Sequence, residues 1–199
     1  MSEIFGIPIQ AFMGQLMLGL VNGSFYATLS LGLAIIFGML NIINFAHGAF
    51  YMAGAMLAWM GLNYFGIGYW WSLLLAPLGV GAIGILIERS MLQWLYKLDH
   101  LYGLLLTFGL ALILEGLFRD LYGVSGQPYS IPEEFAGAYN LGFMFLPKYR
   151  AWVILASLLV CFATWFVIEK TRLGAYLRAA TENPQLTQAF GINVPLMVM

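Results

Sequence analysis

Polar side chains are scarce in this chain, and four groups of them could do chemistry. Asn41, Asn44 and His47 place two amides and an imidazole between long apolar runs. Such groups donate and accept hydrogen bonds, and at membrane depth they persist only where they face protein or a water-filled path. There Asn44 and His47 could satisfy each other, a freed backbone group or a substrate; the alternative is a plain turn at the membrane surface. Glu115 and Arg119 stand one helical turn apart in another apolar run, spaced for an i,i+4 ion pair. That pair is either a salt bridge near the outer interface or a polar patch lining a path. Were these groups to line a substrate path, it would draw on Asn44, Phe45, His47, Gly48 and Glu115. Gly123-Val124-Ser125-Gly126 is a G-x-S-G string for which His47 could act as base, as in an intramembrane serine protease. The Gly126-Gln127-Pro128 that follows predicts a wet loop, a poor setting for a nucleophile.

The fourth group is the long polar stretch TRLGAYLRAATENPQLTQAFGIN, residues 171–193. Residues 174–181 lack helix breakers and put Tyr176, Ala179 and Ala180 on one face. Asn183 can cap a second helix with Pro184 in its first turn, and Gly191 suits its stop. Leu186, Ala189 and Phe190 fall at i, i+3 and i+4, an apolar stripe on a helix too short to stand alone in water. It needs a surface, which is either the membrane and its own bundle or a partner.

The elements that position these groups follow from composition. Hydrophobic residues make up 62% of the 199 and charged residues 9%, where a soluble domain has about a quarter charged, and the mean hydropathy is +0.86. The natural unit is the apolar span of about 20 residues, so the fold class expected is all-α, a polytopic transmembrane helical bundle. The net charge of -1 and the scattered basic residues leave no face for nucleic acid. The lone Cys161 excludes a disulfide framework and a zinc cluster, and no cofactor is implied.

Apolar runs cover residues 11–40, 50–65, 70–87, 101–122 and 151–168, with another opening at Pro195. The first is long for one span, and Asn22-Gly23-Ser24 is the expected break. The run at Pro195 has only five residues before Met199, so a truncated chain is expected. Trp and Tyr cluster near the run ends, as at headgroup level. Gly19 with Gly23 and Gly54 with Ala58 have the spacing that lets helices approach closely. Lys170, Arg172 and Arg178 after the fifth run, and Arg89 and Lys97 in a connector at 88–100, place both segments on the cytoplasmic side. Residues 123–150 then form an external loop, against which Lys148 and Arg150 count, and 170–194 form a cytoplasmic loop.

Two segments carry a resemblance. Ile43-Asn44-Phe45-Ala46-His47-Gly48 comes early; Gly174, Arg178-Ala179, Glu182, Ala189 and Gly191-Ile192-Asn193 come late; Glu88-Arg89 lies between them. In order and spacing these resemble the permease family of the high-affinity branched-chain amino-acid ABC importers, with similarity through essentially the whole chain as one transmembrane permease domain, 1–199. The resemblance implies that Gly174, Arg178, Ala179, Glu182, Ala189, Gly191 and Ile192 belong to a coupling element docking on an ATP-binding subunit. It also implies two such subunits, a second homologous permease, a soluble periplasmic substrate-binding protein, and residence in the bacterial inner membrane among lipid. ATP hydrolysis falls to the partners, in keeping with the lack of a G-x-x-x-x-G-K-[ST] loop here. Related permeases for urea or short amides share these motifs, and a passive channel would need no coupling loop. This chain departs at Ala49, where many relatives have Glu, and the family continues beyond Met199.

Overall fold

Leu, Ala, Met and Phe in uninterrupted runs build helices sized to a bilayer rather than to a soluble core. The computed structural model describes residues 3–4, 7–39, 44–95, 98–142 and 144–194. The expected polar positions Asn41 and Lys97 and the run at Pro195 lie outside them. Strands β1 (Glu3–Ile4) and β2 (Ile7–Pro8) pair antiparallel ahead of α1 (Ile9–Met39). Then come α2 (His47–Phe65), α3 (Tyr69–Ile87), a π turn (Glu88–Leu92), α4 (Gln93–Leu95) and α5 (His100–Tyr122). A 3-10 turn (Glu133–Phe135) and the antiparallel strands β3 (Ala138–Asn140) and β4 (Phe145–Pro147) precede α6 (Lys148–Lys170), α7 (Arg172–Glu182) and α8 (Pro184–Ala189). The chain divides into two compact units, Met1–Gly32 with Ser130–Ala175 and Leu33–Tyr129 with Tyr176–Met199.

In the first unit α1 meets α6 through hydroxyls. Ser157 Oγ donates to the Ser24 carbonyl at 2.8 Å and lies 2.9 Å from Thr28 Oγ1. Val21 and Ser24 are buried on the same side. The break expected at Asn22-Gly23-Ser24 is absent: α1 runs unbroken for 31 residues. The Ser24 hydroxyl donates back to the Leu20 carbonyl at 2.8 Å, which satisfies it inside the helix. In the same unit Phe135 stacks on Trp152 at 5.4 Å, seating the 3-10 turn on the first turns of α6.

In the second unit α2 and α3 form an antiparallel pair turned at Gly66, whose φ of 64° is left-handed. Gly54 and Gly79 admit the close approach, since a Cβ on them would lie 3.5 Å from Val80 and 3.2 Å from Leu57. The small-residue face expected at Gly54 therefore packs on α3, whereas a Cβ at Gly19 or Gly23 would meet open space. The connector expected from Glu88 is instead helical to Leu95. An extra residue is absorbed as a π turn in which the Gln93 N–H reaches the Glu88 carbonyl, making Tyr69–Leu95 one 27-residue run.

Four helical runs are long and apolar enough to cross a membrane: Ile9–Gly38, Tyr69–Leu95, Leu101–Tyr122 and Lys148–Lys170. The expected span at 50–65 is not among them. It belongs to α2, which carries His47, Trp59, Asn63 and Tyr64 in 19 residues. Large apolar side chains such as Leu78, Leu105 and Leu158 face outward, while every buried polar residue among those described is Ser or Thr: Ser24, Ser72, Thr107, Ser157 and Thr187. This is the distribution of a bundle that packs through small and hydroxyl side chains and offers its large ones to lipid. The protein is a polytopic helical membrane protein.

Candidate functional site

The polar turn before α2 is built by local chemistry. Asn44 Oδ1 accepts from the Ala46 N–H at 2.9 Å, closing an Asx turn that sets the chain for the helix beginning at His47. Ala46 is fully buried, and the Phe50 N–H returns to its carbonyl at 2.9 Å. Phe45 donates its N–H to Thr107 Oγ1 at 3.2 Å, and that hydroxyl donates onward to the Leu104 carbonyl at 3.0 Å. Thr107, 1% exposed, thus ties the turn to α5. The Phe45 ring meets Phe108 edge-on at 6.1 Å. His47 is half-buried, and a Cβ at Gly48 would find open space.

Two contacts set the level of this turn against α5. Phe45 meets Thr107, and Met60 Sδ accepts from the Tyr122 hydroxyl at 3.1 Å, so α2 and α5 run parallel in matched register. Thr107 lies roughly 10 Å along α5 from its start at His100. The turn is therefore inside the span of α5 and not at its end. The other end is marked by Trp59 against Tyr122 at 5.4 Å and against Tyr64 at 6.0 Å, an aromatic cluster of interfacial kind.

Glu115 and Arg119 form the i,i+4 ion pair their spacing predicts, Nη2 to Oε1 at 2.6 Å, with both side chains more than half exposed. Ser125 is exposed in the loop after Gly123 (φ 81°), which gives it no dry pocket. No group of three His, Cys, Asp or Glu among the described residues could hold a metal.

The late polar stretch folds as two helices. Thr171 alone separates α6 from α7, with an extended ψ of 160°, and its hydroxyl donates to the Val167 carbonyl at 2.5 Å. Gly174 is buried against the end of α6: a Cβ there would strike the Ile168 carbonyl oxygen and lie 2.7 Å from Ile168 Cα. Asn183 Oδ1 caps α8 by accepting from the Leu186 N–H at 3.0 Å, Pro184 occupies its first turn, and Gly191 follows with φ 80°. Thr187 Oγ1 lies 2.8 Å from the carbonyls of both Ala179 and Asn183, closing α8 onto α7.

Ala180 and Thr187 are the buried seam of this pair. Arg178, Ala179, Glu182, Ala189 and Gly191 are exposed and Ile192 is half-buried. Tyr176 and Ala179 do not share the burial of Ala180, because the seam runs from Ala180 to Thr187 rather than along the expected apolar face. Leu186 and Phe190, 56% and 77% exposed, leave the expected stripe uncovered. Sequence reasoning missed Thr107, Ser157 and Thr187; the available signal was a hydroxyl standing inside an apolar or helical run.

The sequence also matches known proteins. Residues 15–199 match the family described as branched-chain amino acid transport system, permease component. The chain is 27% identical over 93% of its length to the high-affinity branched-chain amino acid transport system permease protein BraD of Pseudomonas aeruginosa, covering 64% of that protein. It is 27% identical over 94% to the corresponding permease LivH of Escherichia coli, again covering 64%. A second Escherichia coli permease, LivM, is 29% identical over 54% of this chain and is covered over 24%. The chain thus spans a little under two thirds of the first two relatives. No solved structure matches. With a match across nearly its whole length, the chain belongs to the family of branched-chain amino acid transport system permease components.

Proposed function

We propose that this chain contributes half of the translocation pathway of an ATP-driven importer for branched-chain amino acids in a bacterial inner membrane. Its partners in this reading are a second homologous permease, two ATP-binding subunits that hydrolyse ATP, and a periplasmic substrate-binding protein. The permeases LivH and LivM of one organism, both similar to this chain, support a pair of related permeases. The loop at 123–150 faces outward and residues 170–194 face the cytoplasm. Asn44, Phe45, His47 and Gly48 wall the path where α2 begins inside the span, and Glu115 lies along it. Irregular backbone and polar side chains at that depth are sustained by protein and water, not by lipid.

The observation that carries the reading is the α7–α8 pair, tied internally by Thr187 and Asn183 yet leaving Leu186, Ala189 and Phe190 uncovered. A short amphipathic helix stabilised from behind and bare in front suits a groove on an ATP-binding subunit. Gly174, Arg178, Ala179, Glu182, Gly191 and Ile192 shape this element. The test is assembly of the importer with Phe190→Glu. The charged side chain should release the ATP-binding subunits on affinity purification and abolish ATP-dependent leucine uptake, while the permease stays in the membrane. Retention of both ATPases with normal uptake would sink the coupling assignment.

A further inference from the structure

Phe108, Leu112, Glu115 and Arg119 recur along α5 at i, i+4, i+7 and i+11 and so share one face. All four are exposed. The two charges stand in a run apolar enough to cross a membrane, and Glu115 is about 10 Å short of the helix end at Tyr122. Lipid is a costly neighbour for charge at that depth, so this face looks onto protein or a wet path. The ion pair itself is a single contact, one Nη to one Oε at 2.6 Å. A guanidinium carries five N–H donors and a carboxylate about four acceptor sites, so one contact leaves both groups with capacity to bind. Below them Leu112 and Phe108 continue the face as apolar surface, and the Phe45 ring stands against Phe108 at its far end.

We propose that this face of α5 is a binding station for a zwitterionic amino acid with an apolar side chain. Glu115 takes the ammonium group, Arg119 takes the carboxylate, and Leu112 and Phe108 receive the side chain. The inference rests on the amino-acid import reading above and assigns to the path a recognition chemistry of its own. Site and ligand are each electrically neutral, so occupation adds no net charge at membrane depth. The same neutrality disfavours side chains with a charge of their own, which would lie against Leu112 and Phe108 unpaired. The order of the two residues also fixes direction, with the carboxylate toward the Tyr122 end of α5.

The experiment is leucine uptake by the assembled importer in proteoliposomes, normalised to complex recovered by affinity purification. Three α5 variants are compared with wild type: Glu115→Gln with Arg119→Gln, the exchange Glu115→Arg with Arg119→Glu, and Asp120→Asn as a control in the last turn. The neutral double variant should lose about tenfold or more in uptake, since both charge-assisted contacts vanish. The exchange keeps an i,i+4 pair yet inverts the ligand's polarity, so it should lose as much; Asp120→Asn should match wild type. Near-normal uptake by the exchanged and neutral complexes overturns the proposal, because the pair would then serve only its own neutralisation. A wild-type complex that imports no branched-chain amino acid overturns the import reading, and this inference with it.

Discussion

One methyl group added at Gly174 should separate insertion from coupling. The Cβ of Gly174→Ala would lie 2.5 Å from Ile168 C and 2.7 Å from its Cα, where non-bonded carbons settle at about 3.5–4.0 Å. Both atoms are backbone in the last turns of α6, so no rotamer change relieves them. The first turn of α7 must retreat by roughly 1–1.5 Å instead. Overpacking of this kind costs about 1–3 kcal/mol, small against the insertion of the apolar spans. If about 1.4 kcal/mol of it falls on the docked state, docking weakens about tenfold. The assay is ATP hydrolysis stimulated by the substrate-binding protein, measured beside leucine uptake in the assembled importer. Gly174→Ala should reach the membrane at wild-type levels, with both activities reduced several-fold. Wild-type stimulation and uptake in Gly174→Ala would refute the reasoning, since the α6–α7 junction would then yield without consequence.

Three further outcomes follow from the hydroxyls and the cap. Thr107→Val removes the acceptor for the Phe45 N–H and should cost about 1–3 kcal/mol, seen as reduced uptake per assembled complex with Thr107→Ser restoring it. Ser157→Ala removes the hydroxyl joining α6 to α1; about 0.6–2 kcal/mol is expected, read as a lower midpoint when the purified complex is heated. Asn183→Ala deletes the cap of α8 for about 1 kcal/mol, and limited trypsin digestion should then cut faster at Arg178.

The parts of the fold legible in the sequence were those set by neighbours in sequence. Asn183, Pro184 and Gly191 fixed the bounds of α8 because capping, a proline first turn and a left-handed stop act within a few residues. Glu115 and Arg119 paired as spaced. What depends on distant partners was not legible. Ser24 marks a breaker in sequence but is held in the helix by Leu20 behind it, while its own carbonyl receives Ser157 from α6. The depth of the turn at Asn44 follows from Thr107, sixty-odd residues away, and nothing local announces that contact. The π turn at Glu88 escaped for another reason: no residue there breaks a helix, and the polar text reads equally as a loop.

The unequal lengths of α1 and α2 make this protein sensitive to the membrane around it. At 1.5 Å per residue, 31 residues give about 46 Å and 19 give about 28 Å. A hydrocarbon layer of about 30 Å cannot match both upright. Tilting α1 by about 40°, the upper end of the usual range, still leaves roughly 35 Å along the membrane normal. It also carries the two ends of α1 about 30 Å apart in the membrane plane, the width of several helices. Thicker lipid lets α1 stand straighter and shrinks that footprint; thinner lipid lays it down further. Acyl chain length is thereby a mechanical input to the helix, set by the host membrane and not by any ligand.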